Sequence, residues 1–117
     1  MAIRREMVTV TTGTQGAGIA TGTAKTQQVV HGKVKAVYID YDAAAPVTAD
    51  ITITEAGQVP ALPVLSFQNA NTDQWMFPVQ QGKDSATGAA ITSSFGDVVC
   101  ADHLAVTIAQ ANNSQVF

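Results

Sequence analysis

Apolar and polar residues alternate along much of this chain with a period of two. In Glu6-Met7-Val8-Thr9-Val10-Thr11-Thr12, Val8 and Val10 fall on one face and Thr9 and Thr11 on the other. Asp50-Ile51-Thr52-Ile53-Thr54-Glu55 repeats the scheme with Ile51 and Ile53, and Leu104, Val106 and Ile108 repeat it opposite Ala105, Thr107 and Ala109. A strand points successive side chains to opposite faces, so this alternation predicts strands with one wet and one buried face. Val, Ile and Thr also suit a pleated, half-buried surface. Between these runs lie turn formers: Thr12-Gly13-Thr14-Gln15-Gly16, Ala43-Ala44-Ala45-Pro46, Glu55-Ala56-Gly57-Gln58, Asn69-Ala70-Asn71-Thr72-Asp73, Gln80-Gln81-Gly82-Lys83-Asp84 and Phe95-Gly96-Asp97. Short strands punctuated at this pace predict an all-β fold, a compact antiparallel β-sandwich or partly open barrel of about 7–8 short strands.

Three stretches depart from simple alternation. From Gln28 to Tyr41, Val37, Ile39 and Tyr41 share parity with Lys33 and Lys35, whereas Val34, Ala36 and Tyr38 take the other face. That reads as one long strand, changing sheets near Gly32 and covered on both faces, the second by a partner if not by its own chain. The block Leu62 to Val79 is apolar, but Pro60, Pro63 and Pro78 cannot donate to a ladder, which predicts edges or bulges. Asp84 to Ser94 is small, polar and interrupted by Gly88, which predicts a loop or irregular strand.

Size and charge narrow the function classes. At 117 residues and 12.1 kDa, residues 1–117 form one domain, with 1–5 as an N-terminal arm. A chain this long buries roughly 65% of its unfolded surface, enough for a core without disulfide or metal staples. Charged residues make up 13%, against a globular average of roughly 25%, and hydrophobic residues 46%, which excludes a charge-rich disordered tail. A net charge of −3 supplies no basic field for nucleic acid or an anionic membrane, so neither is expected as a partner. After Arg4-Arg5 there is no unbroken apolar run of the roughly 7–15 residues that a signal peptide needs. The chain is therefore expected to be made in a cytoplasm and to stay soluble, and the triplet Asn112-Asn113-Ser114 to match a glycosylation site by accident.

Candidate chemistry is sparse. Gly13, Gly16, Gly18 and Gly22 follow a predicted strand, but with the wrong spacing for a dinucleotide loop and no helix after them; a hairpin loop is expected. Asp40-Tyr41-Asp42 pairs two carboxylates of alternate facing, which seldom converge on one cation and are read as solvated at a strand end. Cys100 and His103 are three apart, hence on opposite faces of a strand, and the chain has one Cys and two His against the four ligands zinc takes. Cys100, among Val98, Val99 and Ala101, is expected to be buried and inert, His103 to cap a strand or meet solvent, and His31 to sit in a basic rim. Trp75 and Phe77 share parity with Val79, the pattern of a core face, although a sugar-stacking platform has the same look. No catalytic constellation stands out, so an enzyme, a cofactor or a metal is not expected.

The order of these pieces resembles a group of small tailed-phage structural proteins found among head genes. The resemblance is carried by Arg5-Glu6-Met7-Val8-Thr9-Val10-Thr11-Thr12 with its glycine loop, Val30-His31-Gly32-Lys33-Val34, Ala49-Asp50-Ile51-Thr52-Ile53-Thr54, Gly88-Ala89-Ala90, and Asp102-His103-Leu104-Ala105-Val106-Thr107-Ile108-Ala109. By the same resemblance, Ala111 to Phe117 is the closing strand. It implies a capsid cement or decoration protein, a homo-oligomer (dimer or trimer) on the virion exterior that bridges neighbouring major capsid protein subunits. Under that reading the partner contacts are Arg4 and Arg5 on the N-terminal arm, and Lys33, Lys35 and Tyr38 on or beside the double-faced strand Val34 to Tyr41. A tail or connector β-protein and a glycan-binding module using Trp75 are the alternatives.

Overall fold

The computed structural model describes residues 4–57, 60–83 and 85–117; Met1 to Ile3 of the arm, and Gln58 and Asp84 of the predicted turns, lie outside the described residues. Ten strands and no helix occur among them: β1 (Ala20–Lys25), β2 (Val30–Lys33), β3 (Val37–Ile39), β4 (Asp50–Glu55), β5 (Leu62–Phe67), β6 (Gln74–Met76), β7 (Val79–Lys83), β8 (Ala90–Asp97), β9 (Val99–Asp102) and β10 (Leu104–Ala111). All pairings are antiparallel. The protein is all-β.

One layer is a four-stranded sheet in the order β1-β10-β4-β5. Register sets its two faces. Gly22, Ile108, Ile51 and Phe67 form one inner row, and Ala24, Val106, Ile53 and Leu65 the next. Thr23, Thr107, Thr52 and Ser66 form a row on the outer face, where the Thr23 and Thr107 hydroxyls meet at 3.2 Å. The ribbons β2–β9 and β3–β6 form the second layer. Ile51 and Ile108 pack with Ile39, Tyr41 and Val10, while Ile53 packs with Val98 and Cys100. Fully burying an Ile side chain contributes about 1.5–3 kcal/mol, so these few isoleucines hold the layers together.

The prolines behave as their missing N–H requires. β5, which carries Pro63, is the sheet's edge, and its register with β4 shifts between Ile53 and Thr54. That bulge places the consecutive residues Val64 and Leu65 both against Ile53's cluster.

Several expectations need correction. Glu6–Thr12 and Ala111–Phe117 do not form regular strands; they meet through an isolated bridge, Thr11 to Val116. Val10 and Phe117 exchange both backbone hydrogen bonds (3.0 and 2.8 Å). The ladder stops one pair later because Gln115 N–H donates to the Thr12 hydroxyl (2.8 Å) instead of a carbonyl. The alternation of Val8, Val10 and Thr12 inward survives without a ladder. This segment crosses close to β1, where a Cβ at Gly22 would collide with the Thr11 carbonyl oxygen. The long strand Gln28–Tyr41 is two strands in two separate ribbons of the second layer: Gly32 (φ 113°) lies within β2, and the change of partner falls at residues 34–36. Of the loop or irregular strand expected in Asp84–Ser94, residues from Ala90 onward take the strand form, with a register shift against β7, and the strand runs on to Asp97 through the expected turn Phe95-Gly96-Asp97. The strand count therefore rises to ten from the about 7–8 expected.

Candidate functional site

A cleft of about 1930 Å³ opens between the N-terminal segment, residues 30–40, the inner sheet face and the Trp75–Val79 segment. Arg4, Arg5, Lys33, Lys35 and Tyr38, the predicted contact residues, all line it. Two of these cations are held by their own chain. The Arg4 guanidinium donates to the Val29 carbonyl (2.8 Å) and pairs with the Glu6 carboxylate (2.8 Å), anchoring the arm's described end. Lys33 pairs with Asp97 at 3.2 Å across an exposed gap, an arrangement that contributes at most about 1 kcal/mol. Arg5 and Lys35 form no ion pair among the described residues.

Beside the cations runs an aromatic stripe. Along residues 75–79 burial alternates, with Met76 half-buried and Pro78 buried while Trp75, Phe77 and Val79 point outward. Trp75 is 61% exposed, Phe77 68% and Val79 57%. The shared parity was legible, but the predicted core face is a solvent face. Both parities of this stretch are apolar, and that two-sidedness was the available signal. β3 pairs with β6 so that Tyr38 sits opposite Trp75, with ring centroids 5.1 Å apart and planes tilted by 56°. Phe95 extends the stripe: opposite Gln81 on β8, it shares a face with Val79 and is 59% exposed. No sequence signal separated Phe95 from a turn residue.

The other candidates have structural duties. The Gly16 and Gly18 N–H groups donate to the Asn113 and Asn112 side chains (2.8 and 2.9 Å), tying the glycine loop to the end of β10. Asp40 is exposed. Asp42 accepts from the backbone N–H of Ala44 (2.9 Å) and Val116 (3.0 Å), which holds its carboxyl below the ordinary carboxylate range. Asp50 accepts from Asn69 N–H and the Gln110 amide. Cys100 is buried, and burial, with the Glu55 carboxylate nearby, pushes its thiol up and away from nucleophilic use. His103 Nδ1 lies 2.9 Å from the Thr26 carbonyl; a carbonyl only accepts, so Nδ1 carries the proton. Among the described residues, no three His, Cys, Asp or Glu groups come together as a metal site would require. Compared with protein-family models, curated proteins and solved structures, the chain matches none.

Proposed function

We propose that this chain is a non-enzymatic virion structural protein that binds the outside of a tailed-phage capsid and stabilises contacts between major capsid protein subunits. The observation that supports this reading is the exposed aromatic stripe beside a cation-rimmed cleft. Four rings about half to two-thirds exposed present roughly 500 Å². That lies within the range of the largest apolar patches on monomers, roughly 300–600 Å², which are often functional. The cleft exceeds the roughly 300–1,000 Å³ of small-molecule sites, so its size suits polypeptide better than a metabolite.

Stabilisation would follow from mass action. A protein that binds the assembled shell and not its separated subunits shifts the equilibrium toward the shell. An oligomer engaging several subunits gains avidity without a strong single site. Quantitative mass spectrometry of purified particles, counting this chain against the major capsid protein, tests the reading. Hundreds of copies per particle are expected. A handful would move the chain to the tail or connector, and absence from particles would overturn the virion reading.

The exposure of Trp75 against Tyr38 favours one second reading, a glycan-binding module in which a sugar ring stacks on the indole. Titration with a glycan panel would then shift Trp75 emission; unchanged emission across the panel counts against it.

A further inference from the structure

The ladder between β1 and β10 ends at the pair Ala20 and Ala111, both fully buried. Beyond that pair, the chain before β1 and the chain after β10 hold each other. Val10 and Phe117 exchange backbone hydrogen bonds (3.0 and 2.8 Å), Thr12 N–H donates to the Gln115 carbonyl (2.9 Å), and Ser114 N–H donates to the Gly13 carbonyl (3.0 Å). The Thr12 hydroxyl donates to the Asn112 carbonyl (2.7 Å) and accepts from Gln115 N–H (2.8 Å). The Asn113 and Asn112 side chains accept from Gly16 and Gly18 N–H (2.8 and 2.9 Å). Each of these bonds joins residues 10–18 to residues 112–117.

The bonds from these two segments to the rest of the protein are few. Among the described residues, Gly13 N–H donates to the Thr21 carbonyl (3.0 Å), Thr21 N–H to the Gln15 side chain (3.3 Å), and Val116 N–H to Asp42 (3.0 Å). No ladder joins residues 10–13 to β1, although the two run so close that a Cβ at Gly22 would strike the Thr11 carbonyl. The apolar hold is equally concentrated: Val10 enters the core, and Phe117 meets Tyr41 edge-on with ring centroids 5.9 Å apart. The backbone is left-handed at Gly18 (φ 74°), just before the sheet begins, and at Gln110 (φ 51°), where it ends. Gln110 is pinned through its side chain to Asp50 and through its carbonyl to the Thr48 hydroxyl, so that bend stays with the sheet. Bends at such a boundary absorb a φ/ψ change in a few residues and leave the ladder undisturbed.

We propose that residues 10–18 and 112–117 form a clasp, which opens and closes as one unit on a sheet that stays folded. Sub-global opening proceeds through groups of residues that are bonded to one another and weakly to the remainder, and these two segments meet that description. Val10 and Phe117 line the cleft, so the closed clasp builds one of its walls and the open clasp dismantles it. A partner resting on that wall binds the closed form alone and thereby holds both segments in place. This inference concerns the same cleft but does not rest on the virion reading, because the clasp is a property of the free chain.

Native-state hydrogen exchange of the purified full chain, followed amide by amide in denaturant below the unfolding transition, tests it. The amides of Val10, Thr12, Ser114 and Phe117 are expected to share one protection factor, about tenfold or more below the best-protected amides of β4 and β10. Thr12→Val removes a hydroxyl that bridges the two segments, and should speed exchange at all four by a common factor of about ten. Ile53→Val, a mild change in the core cluster away from the clasp, is the decisive variant. It should lower protection in β4 and β10 about fivefold and leave the four clasp amides unchanged. An equal loss in sheet and clasp would mean that these segments open only with the whole molecule. Four unrelated protection factors that Thr12→Val does not move together would mean separate fraying. Either result overturns the clasp.

Discussion

Single side chains hold the ends of this chain in place. The Thr12 hydroxyl donates to the Asn112 carbonyl (2.7 Å) and accepts from Gln115 N–H (2.8 Å), while the Gln115 side chain accepts from Asn112 N–H (2.9 Å). Thr12 and Gln115 are both buried. Thr12→Val keeps the shape and strands a buried N–H, which costs about 1–3 kcal/mol; chemical denaturation should show a loss of that size. Asp42 grips the same tail through Val116. Hydrogen bonds to its charged form lower its folded value below the ordinary 3.8. A carboxyl shifted this way contributes stability that is fully present above the ordinary value and is lost as pH falls through the folded one. Thermal melts taken from neutral pH downward should therefore drop below about pH 4, and less steeply in Asp42→Asn. Identical acid profiles would show that the two bonds add nothing. Neither network was legible in the sequence, since Thr12 and Asp42 meet residues more than seventy positions away.

At the scale of elements, β4 and β10 stand where alternation put them, and they are neighbours at the centre of the four-stranded sheet. Their inner residues have no alternative face to occupy, because a slip of one residue would expose all of them. Ile108→Ala should cost about 2–5 kcal/mol, transfer and cavity together, read as a lower denaturation midpoint with an unchanged slope. Retained stability would mean that the layers collapse onto the gap. Edges were legible too: Pro63 announced both the outer position of β5 and its bulge. The division of Gln28–Tyr41 was only half legible, because apolar residues of both parities reveal coverage on two sides and not the point where the chain changes partners. Strand β8 was left between loop and irregular strand for a different reason: most of its residues are small or polar, and its pairing comes from β7 across the hairpin rather than from an alternating apolar face of its own.

Seen as a whole molecule, the described chain is a two-layered β body with a hairpin standing off it and a cleft at its foot. Arg4 and Arg5 of the N-terminal arm line that cleft, Arg4 tied to Val29 and Glu6 and Arg5 without an ion pair among the described residues. If the arm contributes partner contacts, deletion of residues 1–5 should weaken binding to purified shells severalfold and leave the circular dichroism spectrum unchanged. Unchanged shell affinity in the truncated chain would remove the arm from the interface. The contact residues suggested by resemblance, Arg4, Arg5, Lys33, Lys35 and Tyr38, come from two separate stretches, and the fold brings both to one cleft. Phe77, Val79 and Phe95 join them there or on the adjoining stripe.

Local pattern along the chain fixes the all-β class, the inner and outer residues of β4 and β10, the edge character of β5, and the common face of Trp75, Phe77 and Val79. These are properties of a period of two, of a missing N–H and of local turn chemistry, all of which act between residues close along the chain. Tertiary structure alone decided which of two apolar faces is covered, which strands pair, and where the cations converge. Parity says that two side chains point the same way; whether that way is core or water depends on what lies above them. Above Ile53 lie Val98 and Cys100, whereas Trp75, beside the tilted ring of Tyr38, stays largely exposed.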